Sequence, residues 1–295
     1  MSSALFRWPK GEITARALRL GAVAVGCAEA APVDDEVRRS YEQWIADGRH
    51  GSMAYLARYG DVRFDPRRLL PGARTVISMA FPYRPAGGYH HPHIADYALG
   101  MDYHRVLKRR MSELAEFIAR NYGAQSRICV DTAPILERYW AQKAGVGFLG
   151  RNRQLIVPGV GSGVFLGEVV TTLALEPDAP IAEGCGNCGR CIAACPGKAL
   201  GLNEFDARRC LSYLTIEHRG ELPTDVCFGD CVYGCDVCQR VCMHNAAEPP
   251  EALPEFAPDV RLLKLDRDAL RNLTPADWRR LTRDSAMRRV KGLRF

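Results

Sequence analysis

No run of eighteen apolar residues occurs in this 295-residue chain, so no transmembrane helix is expected. A cleavable leader is not expected either. The apolar stretch Leu20–Ala28 follows Glu12 and a helix-like series, Ile13, Ala17, Leu18 and Leu20, and it runs into acidic Asp34-Asp35-Glu36. The pair Arg38-Arg39 has no apolar region behind it and does not read as a twin-arginine signal. Hydrophobic residues at 47% and charged residues at 25% disfavour a disordered or collagen-like chain. No internal repeat stands out beyond two groups of cysteines. A cytoplasmic location with no membrane partner is therefore expected, and there clustered cysteines hold metals more often than disulfides.

Two features are unusual. Twelve cysteines are present, and ten of them fall between Cys185 and Cys242, leaving Cys27 and Cys129 outside. The net charge of +6 is just as uneven. Arg261–Phe295 holds eleven Lys/Arg against four Asp/Glu, so the body of the chain is near neutral and its tail is basic. The length fits one large domain or two ordinary ones.

Periodicity gives an α+β chain whose first 180 residues form a mixed α/β domain. Residues 13–31 read as an amphipathic helix followed by the strand Ala22–Cys27, and residues 35–60 as helical. Pro71-Gly72 turns into the strand Thr75–Phe81, and Pro82–His93 is a Pro/Gly/His-rich loop. Apolar residues at 106, 107, 111, 114, 115, 117 and 118 mark a helix face over Val106–Arg120. A short strand, Ile128–Val130, precedes Pro134, which fits the first turn of a helix ending near Gly145. Leu155–Val157 and Val164–Leu175 are strands joined by a turn at Gly159, Gly161 and Gly163. A cysteine-dense domain follows at 181–250, and 251–295 is a short basic helical tail.

Cys185-x2-Cys188-x2-Cys191-x3-Cys195-Pro196 is the bacterial ferredoxin spacing, in which the fourth cysteine serves the other cluster of a two-cluster protein. Zinc ribbons pair two Cys-x2-Cys knuckles across a longer spacer, so this run favours [4Fe–4S] over zinc. Cys235-x2-Cys238-x3-Cys242 is a second group, and Cys210 stands between the two. The crossed assignment puts Cys185, Cys188, Cys191 and Cys242 on one cluster and Cys195, Cys210, Cys235 and Cys238 on the other. Cys227 and Cys231 are then surplus, or replace one of these; spacing leaves that open. Cys27 and Cys129 sit in apolar strands and read as core residues.

Gly145-x-Gly147-x-x-Gly150 matches a dinucleotide fingerprint in letters only. It follows a helix instead of opening one, so glycines ending a helix are the better account. Asp131, in Asp131-Thr132-Ala133-Pro134, stands where a strand meets a helix start. It reads either as a helix cap or as an acid at a strand's carboxyl end.

The segment from Val130 to Arg138, followed by Ala144–Asn152, resembles the epoxyqueuosine reductase family. So do Asp65-Pro66-Arg67-x2-Leu70-Pro71-Gly72-Ala73-Arg74, Gly100-x-Asp102-Tyr103-His104, Arg209-Cys210-Leu211-Ser212 and Tyr233-Gly234-Cys235-Asp236-x-Cys238-Gln239. These pieces span residues 55 to 245 in the family's order. The resemblance implies a cobalamin-binding first domain, a ferredoxin-like domain with two [4Fe–4S] clusters, and the reduction of epoxyqueuosine to queuosine at the wobble position of tRNA. It implies that the clusters reduce cob(II)alamin to cob(I)alamin, which attacks or otherwise activates the epoxide. Asp131 maps onto the proton donor, and a pocket beside the corrin would raise its pKa. Cobalamin contacts map onto Arg63, Asp131, Arg138, Leu155, Leu166 and Ser212, with a solvated surface arginine as the alternative for Arg63. No Asp-x-His-x2-Gly motif is present, so no histidine is nominated as a lower axial ligand, and His90, His91 and His93 read as a solvated loop rather than a metal site.

The expected partners are a tRNA anticodon stem-loop carrying epoxyqueuosine and an unidentified electron donor, acting on a monomer. Arg279, Arg280, Arg283, Arg288, Arg289, Lys291 and Arg294 supply positive charge for tRNA, or form a solvated helix face with Trp278 and Leu281 packed inward. Longer family members continue into helical repeats where this sequence stops at Phe295, so either a short form or a trimmed chain is expected. A cobalamin-dependent reductive dehalogenase and a ferredoxin-type electron-transfer protein are the alternative functions. The first usually carries an export signal, and the second leaves 180 upstream residues unexplained.

Overall fold

The sequence of the second strand is apolar on both faces, and a strand of that kind has to be covered on both. In the computed structural model, which describes residues 7–84, 91–290 and 293, that is how it sits. Six strands occur: β1 (Ala24–Glu29), β2 (Thr75–Pro82), β3 (Ser126–Cys129), β4 (Phe148–Leu149), β5 (Leu155–Ile156) and β6 (Val164–Thr171). One sheet has the order β1-β2-β6-β3 with every neighbouring pair antiparallel, and β4 pairs with β5 apart from it. All eight residues of β2 are buried.

Alternation along β2 divides the first domain's core into two layers. Ile77, Met79 and Phe81 pack with Ile13 and Ala17 of α1 (Arg7–Arg19), and with Val106, Leu107, Met111, Leu114 and Ile118 of a later helix. Val76 and Ala80 face the other way, toward Trp140, Ala141 and Ala144. Three short helices lie between β1 and β2: α2 (Asp35–Ala46), α3 (Gly60–Arg63) and α4 (Pro66–Leu69). The long helix α5 (Tyr103–Tyr122) is capped by the Asp102 side chain and ended by Gly123 at φ 64°. Burial of its five apolar residues is worth about 1.5–3 kcal/mol apiece before entropy is charged.

The cysteine-dense segment carries α7 (Arg190–Ala194), α8 (Leu211–Ile216) and α9 (Val237–Arg240), after α6 (Glu137–Lys143) in the first domain. Leu211, Tyr213 and Leu214 pack on Trp44 and Met53, which joins this segment to the helix α2 region. The C-terminal helices α10 (Val260–Leu263), α11 (Arg267–Arg271) and α12 (Pro275–Leu281) are capped by Asp259, Asp266 and Thr274. Their Leu262, Leu270 and Trp278 share a core with Ile94, Leu99, Val232 and Tyr233. The basic tail is thus folded onto both preceding segments, with Trp278 buried and its indole N–H donating to Val290 O.

Several expected elements differ in extent. Helix 35–60 stops at Ala46 because Gly48 and Gly51 take φ of 65° and 58°, and only a 3-10 turn, Ala54–Ala57, follows. Pro134 does not open α6, which begins at Glu137 after a bend through residues 131–135. The strand expected to reach Leu175 ends at Thr171. Within the histidine loop His91 is not solvated: it is 2% exposed, its Nδ1 accepts the His93 and Ile94 N–H groups, and its Nε2 meets Leu265 O. His90 lies outside the described residues.

Candidate active site and cluster-binding thiols

Asp131 closes β3 and stands at φ 54°, left-handed backbone that non-glycine residues adopt at some cost. The helix-cap reading does not hold. The residue before α6 is Leu136, with no side-chain cap, and the Asp131 carboxylate points instead to α5. Its Oδ2 lies 2.9 Å from His104 Nε2, and His104 Nδ1 lies 2.6 Å from Asp102 Oδ1. The Asp131 backbone N–H donates to the Glu137 carboxylate. From the C-terminal segment, Arg289 Nη1 approaches Asp131 Oδ2 at 3.8 Å and Arg288 Nε approaches Asp102 Oδ2 at 3.5 Å.

These contacts set the protonation pattern. Burial pushes the Asp131 carboxyl up, but the His104 hydrogen bond and the charges of His104, Arg289 and Arg138 hold it below the usual range. The expected rise of the Asp131 pKa is therefore not found in this chain by itself, because cations surround the carboxylate. Burial opposes charge on His104, yet its bonds to Asp102 and Asp131 lift it above the ordinary imidazole value. Glu137 is pushed up to about 7 by burial and the Asp131 charge. Behind it Glu168, 0% exposed on β6, is driven well above a normal carboxyl by burial and by Glu137.

The other nominated residues lie as follows. Arg63 is 7% exposed, so it is not a solvated surface arginine; it donates to Tyr55 O and Arg58 O, and its Nε is buried without a partner. The charges of Glu217, Asp131 and Arg63 all act on Tyr55, which is half-exposed, so residues from both segments face one region. Arg138 is exposed in the first turn of α6. Leu155 and Leu166 belong to the apolar layer under α6. Ser212 is half-buried in the first turn of α8, two residues after Cys210. An unsatisfied buried guanidinium nitrogen and an apolar surface with half-exposed Tyr55 fit a large, partly apolar cofactor bearing hydrogen-bond acceptors.

The thiols separate into two groups. Cys185 and Cys242 act on Cys191, and Cys185 and Cys188 act on Cys242. Cys235 and Cys195 act on Cys210, and Cys235, Cys210 and Cys195 act on Cys238. Backbone N–H groups reach the sulfurs: Arg151 N–H meets Cys185 Sγ at 3.5 Å and Ala199 N–H meets Cys195 Sγ at 3.3 Å. Among the described residues no three His, Cys, Asp or Glu side chains converge on a point fit for one metal ion. A cubane takes four thiolates, each on a different iron. Cys231 is hydrogen-bonded to Cys235, and Cys227 is exposed. Cys27 and Cys129 are buried core thiols whose pKa burial raises. Gly145 ends α6 at φ 69°, and a Cβ on Gly147 would stand 2.5 Å from Ile156 O, so these glycines serve close packing.

Sequence spacing did not find His104, Asp102, Arg288 or Arg289 at this site. The only sequence signal was Asp102-Tyr103-His104 inside a family-like segment.

Residues 63–132 match the family model described as epoxyqueuosine reductase QueG, DUF1730, and residues 184–245 match the 4Fe-4S double cluster binding domain. The chain is 37% identical to the epoxyqueuosine reductase of Cellulophaga algicola over 95% of its own length and 93% of the relative's. It is 40% identical to that of Gloeobacter violaceus (96% and 92%) and 36% identical to that of Escherichia coli (94% and 76%). A selenomethionine-labelled epoxyqueuosine reductase superimposes with a TM-score of 0.85 at 27% identity, covering 96% of this chain and 78% of the other. An epoxyqueuosine reductase with a tRNA-Tyr epoxyqueuosine-modified stem loop gives 0.84 at 27% identity, with 96% and 77% covered. With identity above 35% along nearly its whole length, this chain belongs to the epoxyqueuosine reductase family.

Proposed function

We propose that this protein reduces epoxyqueuosine to queuosine in tRNA, with cobalamin and two [4Fe–4S] clusters as cofactors and Asp131 beside the reacting epoxide. The observation that carries the reading is the Asp131 carboxylate, half-exposed, held in left-handed backbone and hydrogen-bonded to His104. Cobalamin, when bound, would supply strongly reducing chemistry for the epoxide, and the clusters would supply its electrons. Arg63, Leu155, Leu166, Arg138 and Ser212 would hold it. Cys185, Cys188, Cys191 and Cys242 would hold one cluster, and Cys195, Cys210, Cys235 and Cys238 the other, in keeping with the two groups of thiols.

The protein's own contribution is to position and protonate. Asp131 meets the oxygen that leaves the ring, because an alkoxide is a poor leaving group until it gains a proton. Arg288 and Arg289 add positive charge where a polyanionic substrate would enter, and Arg279 and Arg283 are exposed on the same segment. Lys291 and Arg294 lie outside the described residues. An open depression of about 630 Å³, lined by Arg190, Arg240, Cys242 and Met243, lies on the thiol-bearing side and not beside Asp131.

Anaerobically reconstituted protein, given reductant and tRNA carrying epoxyqueuosine, should yield a nucleoside lighter by one oxygen on mass spectrometry. Unchanged nucleoside with intact clusters and bound cobalamin would rule the reading out.

A further inference from the structure

The triplet Asp102-Tyr103-His104 has no part in the cofactor reading, yet it ends at the reacting carboxylate. One oxygen of Asp102 accepts both the His104 backbone N–H, at 3.1 Å, and the ring Nδ1–H, at 2.6 Å. Nε2 on the far side of the ring is 2.9 Å from Asp131 Oδ2. The Asp102 and His104 side chains are 2% and 6% exposed, whereas Asp131 is 49% exposed. The imidazole therefore lies between an interior carboxylate that fixes it and an outer one that can meet a substrate. A buried carboxylate in the first position orients the ring and favours its charged form.

Resting on the activity proposed above, we infer that His104 is the source of the proton taken by the opened epoxide oxygen, with Asp131 as carrier and Asp102 as the group that fixes the ring. Converting the epoxide to an alkene and water takes two electrons and two protons. The electrons come through the cofactors, and the inference concerns the first proton. The Nε2–H bond of His104 breaks, a proton passes through the Asp131 carboxylate, and an O–H bond forms on the alkoxide. Asp131 ends as it began, an anion. His104 ends neutral, with Nδ1–H still on Asp102, and recovers its proton from solvent together with the second one the reaction needs.

The groups facing the ring agree with this. Tyr103 stacks on it at 4.0 Å between centroids, while Asp131 presents negative charge from the β3–α6 side. Arg289 opposes with positive charge from the C-terminal segment, and Arg288 does so at Asp102. Both carboxylates hydrogen-bond the ring directly, at 2.6 and 2.9 Å, whereas the two guanidinium groups pair with those carboxylates, so the imidazolium is favoured.

The test reads the ring first. In the full chain without cofactors, nitrogen-15 NMR of labelled histidines should find His104 doubly protonated at pH 6.5, the ordinary imidazole midpoint, and titrating above it. Asp131→Asn should lower that midpoint, and so should Asp102→Asn. A ring already neutral at pH 6.5 overturns the inference, whatever substrate the enzyme proves to use. In the reconstituted enzyme, single turnover should slow toward alkaline pH as His104 loses its proton. His104→Gln should slow it about 10²–10⁴-fold and abolish that alkaline limb. A His104→Gln enzyme that keeps the limb shows the residue to be structural only. Should this variant not fold, Asp102→Asn, which keeps the ring, should shift the limb to lower pH; an unshifted limb also overturns the inference.

Discussion

Arg289 Nη1 stands 3.8 Å from Asp131 Oδ2, so the C-terminal segment forms one wall of the site built at the end of β3. Both side chains are about half exposed, and solvent screens such a pair. Arg289→Gln should therefore raise the Asp131 pKa only modestly, by an interaction of at most about 1 kcal/mol. Carbon-13 NMR of the aspartate carboxyls at low and high salt checks this. The difference from wild type should shrink as salt rises, and a salt-independent difference would argue for a rearranged loop.

Asp131→Asn keeps the shape of the side chain and loses its ability to carry a proton. Cobalamin and cluster content should stay near wild type while single-turnover reduction slows about 10²–10⁴-fold. Spectra of the loaded protein together with mass analysis of the nucleoside separate the two effects. Unaltered turnover would remove Asp131 from the reaction.

Iron content distinguishes ligands from bystanders among the cysteines. Cys210→Ala, in the second group of thiols, should lose about half of the roughly eight irons that two cubanes bring. Cys227→Ala, exposed and outside both groups, should lose none. Equal loss from both variants would require a different ligand set.

Charge on the tail should matter to tRNA more than to cofactors. Replacing exposed Arg279 and Arg283 with Glu should weaken tRNA binding and reduce its salt dependence, by about one unit of slope per lost phosphate contact. Filter binding over a salt series measures it. An unaltered slope would place the RNA elsewhere.

Two carboxyls with raised pKa predict a pH dependence of stability. Glu137 and Glu168 bind their protons more tightly in the folded chain than in the unfolded one, where 4.5 is the ordinary value. Between 4.5 and about 7 the folded state therefore holds more protons, and these two groups lose stability as pH rises. Glu168→Gln should flatten that fall by up to about 1.4 kcal/mol per pH unit, as read by urea denaturation of the cofactor-free protein. A steeper fall in the variant would mean that Glu168 has a favourable partner when ionised.

Local pattern went a long way for the scaffold. The Val106–Arg120 face lies inside α5, and Thr75–Phe81 is β2 almost to the residue, because a long amphipathic period and a continuous apolar run each permit few alternatives. Helix ends were less legible. Gly48 and Gly51 cut the helix expected to reach residue 60, and Pro134 falls in a bend before α6. At the site, Asp131 and the cluster cysteines were visible, the cysteines through spacing on single loops. The role of Arg63 as a buried rather than solvated cation was not, since burial depends on what folds over a side chain.

The sequence by itself determined the kind of chemistry: cysteines at ferredoxin spacing, an acid after a short strand, and a family resemblance that the relatives bear out. Tertiary structure decided which residues share that acid's field. Asp102 and His104 open α5, Glu137 opens α6, and Arg288 and Arg289 follow α12. They meet at Asp131 only because the sheet and the C-terminal core bring those ends together. Short-range spacing encodes a helix face or a metal loop, where neighbours in sequence are neighbours in space. It carries no record of contacts made across the fold, and those contacts raise the His104 pKa and lower that of Asp131.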